Sequence, residues 1–100
     1  MTTPTTPKLH PGECFATPGA REACGDNTQG PWSFIARHIC GDWGEVCPED
    51  AAANDESLVD GSRLLSAYSL PDDTKIWIIT DAADERGRRP QTTVLLPEEY

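Results

Sequence analysis

The chain has 100 residues, of which 37% are hydrophobic and 25% are charged, so its composition is that of one ordinary globular domain. Its formal net charge of −9 disfavours direct binding to nucleic acid, because contacts to phosphate need clustered lysine and arginine. Its longest apolar run is IWII, far short of the roughly 18–20 residues of a membrane-spanning helix. We therefore expect a soluble, cytoplasmic protein without a membrane partner.

Residues 1–15 are predicted to be a flexible leader. Threonine and proline dominate MTTPTTPKLHPG, and the apolar segment of a signal peptide is missing. Residues 16–100 are predicted to be a single domain. It begins with a short helix over 18–24, for which Thr17 is a suitable N-cap and Pro18 a suitable first residue. Residues 26–30 are predicted to be a loop.

Two further helices are predicted before the hydrophobic pattern changes. The segment PWSFIARHICG, residues 31–41, carries apolar residues at helical spacing and ends at a glycine. His38 falls in its last turn, where a positive charge interacts favourably with the helix dipole. A third helix, largely exposed, is predicted over 48–61, because proline followed by two acidic residues is typical of a helix start.

Beyond residue 61 the hydrophobic period becomes that of strands, which are predicted over 62–70, 75–80 and 91–96. Their polar connections predict an antiparallel meander with 75–80 at its centre. The central strand KIWIIT is apolar on both faces, so we expect the sheet to be covered on one face and partly covered on the other. The predicted fold class is α+β, with about three short N-terminal helices packed on a three-stranded antiparallel β-meander.

Four cysteines, at positions 14, 24, 40 and 47, raise the question of a metal site. A structural zinc site normally includes two ligands separated by a few residues, and no such cysteine pair occurs. Disulfides are not expected in a reducing compartment. Cys40 and His38 are spaced so that they do not point at each other, which disfavours a nucleophile and base. We predict no metal, no cofactor and no enzymatic activity.

Acidic residues are concentrated between positions 42 and 60, where no lysine or arginine occurs. Such a stretch can serve solubility alone, or it can attract a basic partner. Trp43, within GDWG, is either a plug over the core or an exposed anchor for that partner. The predicted partner-binding residues are Asp42, Trp43, Glu45, Glu49, Asp50, Asp55 and Glu56.

Several segments resemble, in order, a family of small plasmid-related bacterial proteins from mobile elements. They are ATPGA, PWSFIARHICGDWGEVCPEDAAAND, GSRLLSAYSLPDDTKIWIITDAADE and TTVLLPEEY, and together they span nearly all of residues 16–100. The family has no established activity, and the resemblance implies an accessory role in defence or counter-defence. With the acidic stretch it gives our first hypothesis, an inhibitor of the anti-restriction or anti-CRISPR type that covers the basic groove of a nucleic-acid-handling protein.

Two alternatives stay open. In the first, the chain is a small regulatory or antitoxin-like protein that binds one cognate partner through a sheet edge or its C-terminal tail. In the second, the only basic cluster contacts nucleic-acid phosphates. The residues of that cluster are Arg86, Arg88 and Arg89.

Overall fold

The computed structural model describes residues 7–25 and 30–100. In chain order the elements are strand β1, Glu13–Ala16; helices α1, Pro18–Gly25, α2, Gly30–Ile39, and α3, Pro48–Asp60; strands β2, Leu64–Ser69, β3, Lys75–Thr80, and β4, Gln91–Leu95; and a 3-10 turn, Pro97–Glu99. The α+β class and the three helices are confirmed. The predicted loop residues 26–29 and leader residues 1–6 lie outside the described residues.

The four strands form one mixed sheet in the order β1-β4-β3-β2. β2, β3 and β4 are antiparallel neighbours, as predicted, but β1 adds in parallel beside β4. The prediction of three strands is therefore wrong, since part of the predicted leader is the fourth strand. β1 has only four residues and pairs Glu13 with Gln91, far along the chain, so no local pattern marks it.

Helices α1 and α2 pack on one face of the sheet and form the core with it. Ala20 and Cys24 of α1 and Phe34 of α2 are buried against inward-facing residues of the strands. The ring of Phe34 stacks on Tyr68 of β2 with centroids 5.1 Å apart. Burial of a side chain of this size stabilises the fold by about 1.5–3 kcal/mol. This helix-covered face fixes which strand residues point away from the core.

Helix α3 lies along the outer edge of β2 and blocks it. The side-chain amide of Asn54 donates to the carbonyl of Leu65 at 2.7 Å and accepts from its N–H at 3.2 Å. Ala67 is the next residue of β2 whose main-chain groups point toward this edge. Its N–H donates to the carbonyl of Trp43, and its carbonyl accepts from the N–H of Glu45. With these groups occupied, β2 is protected from pairing with a foreign strand.

Gly44 allows the loop between α2 and α3 to approach β2 this closely. Its φ is +72°, and a Cβ at this position would lie 2.0 Å from the carbonyl oxygen of Ala67. Two separate constraints therefore require glycine here, a left-handed backbone and the absence of a side chain.

We predict that Gly44→Ala destabilises the protein by about 3 kcal/mol or more, because overpacking adds to left-handed strain. Gly87→Ala is the matched control, since Gly87 has a φ of +78° but nothing within 4 Å of the added Cβ. Strain alone is expected to cost the control about 1–2 kcal/mol. Urea denaturation measures both variants, and equal losses would contradict the argument from close approach.

Candidate functional site

A chain of hydrogen bonds crosses the core beneath α2. His38 bonds Ser66 Oγ through Nδ1 at 2.5 Å and Thr80 Oγ1 through Nε2 at 2.8 Å. The Thr80 hydroxyl bonds that of Thr92 at 2.8 Å, and Thr92 donates to the carbonyl of Pro11 at 2.8 Å. The four side chains are all 0% exposed. This series of hydrogen bonds thus joins α2, three strands and the segment before β1.

The Pro11 carbonyl fixes the direction of the hydrogen bonds from Thr92 back to His38 Nε2. A carbonyl can only accept, so the Thr92 hydroxyl donates to Pro11 and its oxygen accepts from Thr80. The Thr80 oxygen then accepts from the Nε2–H of His38. In the neutral imidazole, Nδ1 accepts from the Ser66 hydroxyl, and both ring nitrogens are satisfied.

Burial keeps His38 uncharged near neutral pH. Desolvation, reinforced by the positive charge of Arg89, lowers the pKa of His38 from 6.5 to about 4. The expected positive charge on His38 is therefore wrong, although Arg37 supplies a positive charge in the same turn of α2. Ser66 and His38 contain the atoms of a nucleophile and a base, but both are fully buried, so a substrate has no access to them. We assign the pair a structural role.

We predict that the stability contributed by neutral His38 is lost as the pH falls from about 6.5 to about 4. In this window the unfolded chain binds a proton at His38 that the folded chain does not bind, so protonation favours unfolding. The full effect is on the order of 3 kcal/mol.

His38→Gln removes this titration, so its free energy of unfolding should approach that of the natural chain as the pH falls through this window. A difference between the two chains that stays constant with pH in urea denaturation would contradict the prediction. NMR of the natural chain gives an independent check, since the His38 ring should still be neutral at about pH 5, one unit above its folded pKa.

Two of the predicted partner-binding acids form ion pairs within the domain. Asp42 forms an ion pair with Arg37 at 2.7 Å, and Glu45 forms one with Lys75 at 3.3 Å. The hydrogen bond from Arg37 lowers the pKa of Asp42. The hydrogen bond from Ser69 lowers the pKa of Glu45 most, and the hydrogen bond from Lys75 lowers it further. Each of these two carboxylates is therefore already partnered by a base of the same domain.

Trp43 is a plug over the core, which is one of its two predicted roles. It is 6% exposed, and its ring packs edge-on against the imidazole of His38 with centroids 5.6 Å apart. Its indole N–H donates to the carboxylate of Asp55 in α3 at 3.1 Å. The alternative role as an exposed anchor is wrong, because the ring is not available at the surface.

Three of the remaining acids of the stretch lie together on one side of α3. Asp55 marks the flank of α3 nearer the helix-covered face of the sheet, because it binds Trp43, which packs on that face. The inward residues of α3 are Asn54 and Ser57. At about 100° per residue, three exposed acids fall from the outermost side round to the flank opposite Asp55. We call this set the acidic flank; it consists of Glu49, Glu56 and Asp60. Asp50 is also exposed, but it precedes Asn54 by four residues and therefore lies on the inward side of α3, in its first turn.

Among residues 7–25 and 30–100, no member of the acidic flank forms an ion pair. Hydrogen bonds from Ser62 lower the pKa of Asp60, and the positive charge of Arg89 acts in the same direction. The two ion pairs in this part of the chain are those of Asp42 and Glu45 in the loop before α3. α3 itself contains no lysine, arginine or histidine. The sequence predicts Glu49 and Glu56 as partner-binding residues, but their common orientation depends on how α3 packs along β2.

Arg89, predicted as part of a nucleic-acid contact, points into the domain instead. Its guanidinium donates to three main-chain carbonyls, those of Ser57, Ser62 and Asp81, at 2.9, 2.7 and 3.1 Å. It thereby binds a carbonyl in the last turn of α3, as a cation at a helix C-terminus can. Arg86 and Arg88 are exposed, and Arg88 lines a groove of about 920 Å³ beside residues 8–13. Two guanidinium groups thus remain for the alternative nucleic-acid contact.

We predict that Arg89→Ala destabilises the protein by about 2 kcal/mol or more, because three carbonyls lose a charged donor. Arg86→Ala and Arg88→Ala remove surface charges and should change stability by no more than about 0.5 kcal/mol. Chemical denaturation of the three variants tests this. Equal effects at all three positions would show that the Arg89 contacts contribute nothing particular.

The cysteines are all free, and they range from buried Cys24 to exposed Cys47. In the part of the chain that the structure describes, no three histidine, cysteine or acidic side chains are grouped so that they could hold a metal ion. Within the same residues, no helix is both long enough and apolar enough to cross a membrane.

Comparison of the chain with protein-family models, curated proteins and solved structures finds no significant match. The resemblance to plasmid-related proteins therefore stays a prediction, and the functional argument depends on the geometry of the site.

Proposed function

We propose that the protein is a non-enzymatic binding module that docks the acidic flank of α3 on a positively charged surface of a larger protein. The observation that carries this proposal is the contrast between the two groups of acids. Asp42 and Glu45 form ion pairs within the domain, whereas the flank presents three carboxylates to solvent without a basic neighbour on the same helix.

This arrangement is unusual for a helix that serves only the fold. Exposed helices commonly place lysine or arginine four residues from an acid, and each such pair stabilises the helix by about 0.2–0.5 kcal/mol. α3 forgoes these pairs over its 13 residues. The resulting negative field extends about 8 Å at physiological salt and accelerates encounters with a basic surface.

The partner that this flank fits best is a protein with a groove for nucleic acid. Such grooves are lined by lysine and arginine because they neutralise phosphates. A row of carboxylates in the groove would compete with nucleic acid, which supports the hypothesis of an inhibitor of the anti-restriction or anti-CRISPR type. The antitoxin-like alternative through the C-terminal tail has less support, since Glu99 bonds Thr17 and the tail is folded onto the domain.

We predict that Glu49→Lys with Glu56→Lys abolishes capture of the partner from a bacterial lysate at low salt. The matched control is Glu22→Lys with Glu85→Lys, which changes the net charge equally at two exposed sites outside α3. Mass spectrometry identifies the proteins that the natural chain and the control retain but the α3 variant loses.

Those proteins should elute as the salt concentration rises, because screening weakens the attraction. Equal capture by all three chains would refute the role of α3. Equal loss in both variants would mean that net charge alone is responsible, which would also refute it.

A further inference from the structure

The sheet face opposite α1 and α2 has an apolar centre, although both helices lie on the other side. The polar residues Glu13, Ser69, Lys75 and Gln91 of this face all stand at strand ends, and Leu95 faces the same way but is buried. We call the remaining outward-facing side chains the open face; they are Phe15, Leu65, Ala67, Trp77, Ile79 and Thr93. The register places Leu65, Ile79, Thr93 and Phe15 side by side in one row across the whole sheet.

The open face is partly accessible to solvent. Phe15 is 45% exposed, and the other members are neither fully buried nor fully exposed. The C-terminal Tyr100 covers one end, where its ring packs against Trp77 with centroids 5.6 Å apart. A sheet with one solvated face normally carries polar residues there, and a contiguous apolar patch usually marks an interaction site.

The charges around the open face are arranged asymmetrically. Lys75 is paired with Glu45, whereas Arg63 donates to the neutral hydroxyl of Tyr100 and keeps its positive charge at the end of the face that Tyr100 covers. Glu13 lies at the β1 side and is exposed. Along the β2 side runs α3, whose acidic flank turns toward this face of the sheet. A partner on the open face therefore meets negative charge beside an apolar floor.

We propose that the open face is the docking site for an amphipathic helix of the partner. Its apolar side would pack on the row from Leu65 to Phe15, and its lysine or arginine residues would face the acidic flank. A helix would complete the layer that the sheet lacks, in the way that helices cover both faces of other sheets. A second copy of this chain is a poorer occupant, because it also has a net charge of −9 and would be repelled.

This inference rests on the proposed function, because the acidic flank provides its charge complementarity. It adds a statement that the flank alone does not imply, namely that affinity depends on apolar residues of the sheet. The two ideas can therefore fail separately.

The test uses a synthetic peptide of leucine and lysine, about 18 residues long and about 27 Å as an amphipathic helix. A peptide with glutamate in place of lysine is its control. Binding to the full, isotope-labelled chain is followed by NMR. The lysine peptide should bind and shift the amide signals of Leu65, Ile79 and Thr93, and the glutamate peptide should bind at least about tenfold more weakly.

Two variants separate the contributions of the face and the flank. Phe15→Ser with Ile79→Thr should weaken binding of the lysine peptide at least about tenfold, because apolar contact is lost. Glu49→Lys with Glu56→Lys should remove the preference for lysine over glutamate. The NMR spectrum of each free variant shows whether it is folded, and Phe15→Ser alone, at an exposed position, replaces the double variant if that one unfolds.

Peptide-induced shifts confined to other surfaces would overturn the inference, and so would unchanged affinity in the face variant. Concentration-dependent dimers that disappear in the face variant would also overturn it, since the occupant would then be a second copy. If lysate capture still depends on α3 in any of these cases, the proposed function survives without the helix site.

Discussion

The fold depends on one buried, neutral histidine. His38 binds β2 and β3 through its two ring nitrogens, and the hydroxyls of β3 and β4 extend the connection to the carbonyl of Pro11. Leaving a buried polar group without a hydrogen-bond partner costs about 1–3 kcal/mol of folding free energy. Each side chain in this series of hydrogen bonds therefore holds the next in place. Trp43 packs on the same imidazole and reaches Asp55, so the histidine also helps to orient α3 and its acidic flank.

The acidic residues between 42 and 60 have two different roles, because those in the loop before α3 contact the rest of the domain and most of those on α3 face solvent. In the loop, Asp42 is held by Arg37 of α2, and Glu45 is held by Lys75 of β3 and Ser69 of β2, so Glu45 helps to attach the loop to the sheet. On α3, the side that contacts β2 uses the uncharged Asn54 and Ser57, so the three carboxylates of the acidic flank are left on the outer side. One stretch of sequence thus contributes both to stability and to the surface charge.

Local patterns predict most elements of this fold. Proline at helix starts, glycine at helix ends and the change to alternating hydrophobicity after residue 61 place three helices and three strands within about two residues. β1 is missed because its pairing with Gln91–Val94 is not local. The neutral state of His38, the burial of Trp43 and the inward turn of Arg89 depend on tertiary neighbours that no residue spacing reveals. The candidate site was therefore predicted in composition but not in geometry.

The parallel pairing of β1 with β4 has a consequence for how the protein folds during its synthesis. The first strand is made long before its partner, and closing so large a loop costs chain entropy before any contact forms. Until β4 emerges from the ribosome, Phe15 lacks its neighbouring strand and Pro11 lacks the Thr92 hydroxyl. A nascent chain therefore carries an unpaired apolar segment, and completion of the sheet is a late event in which the two ends of the domain come together.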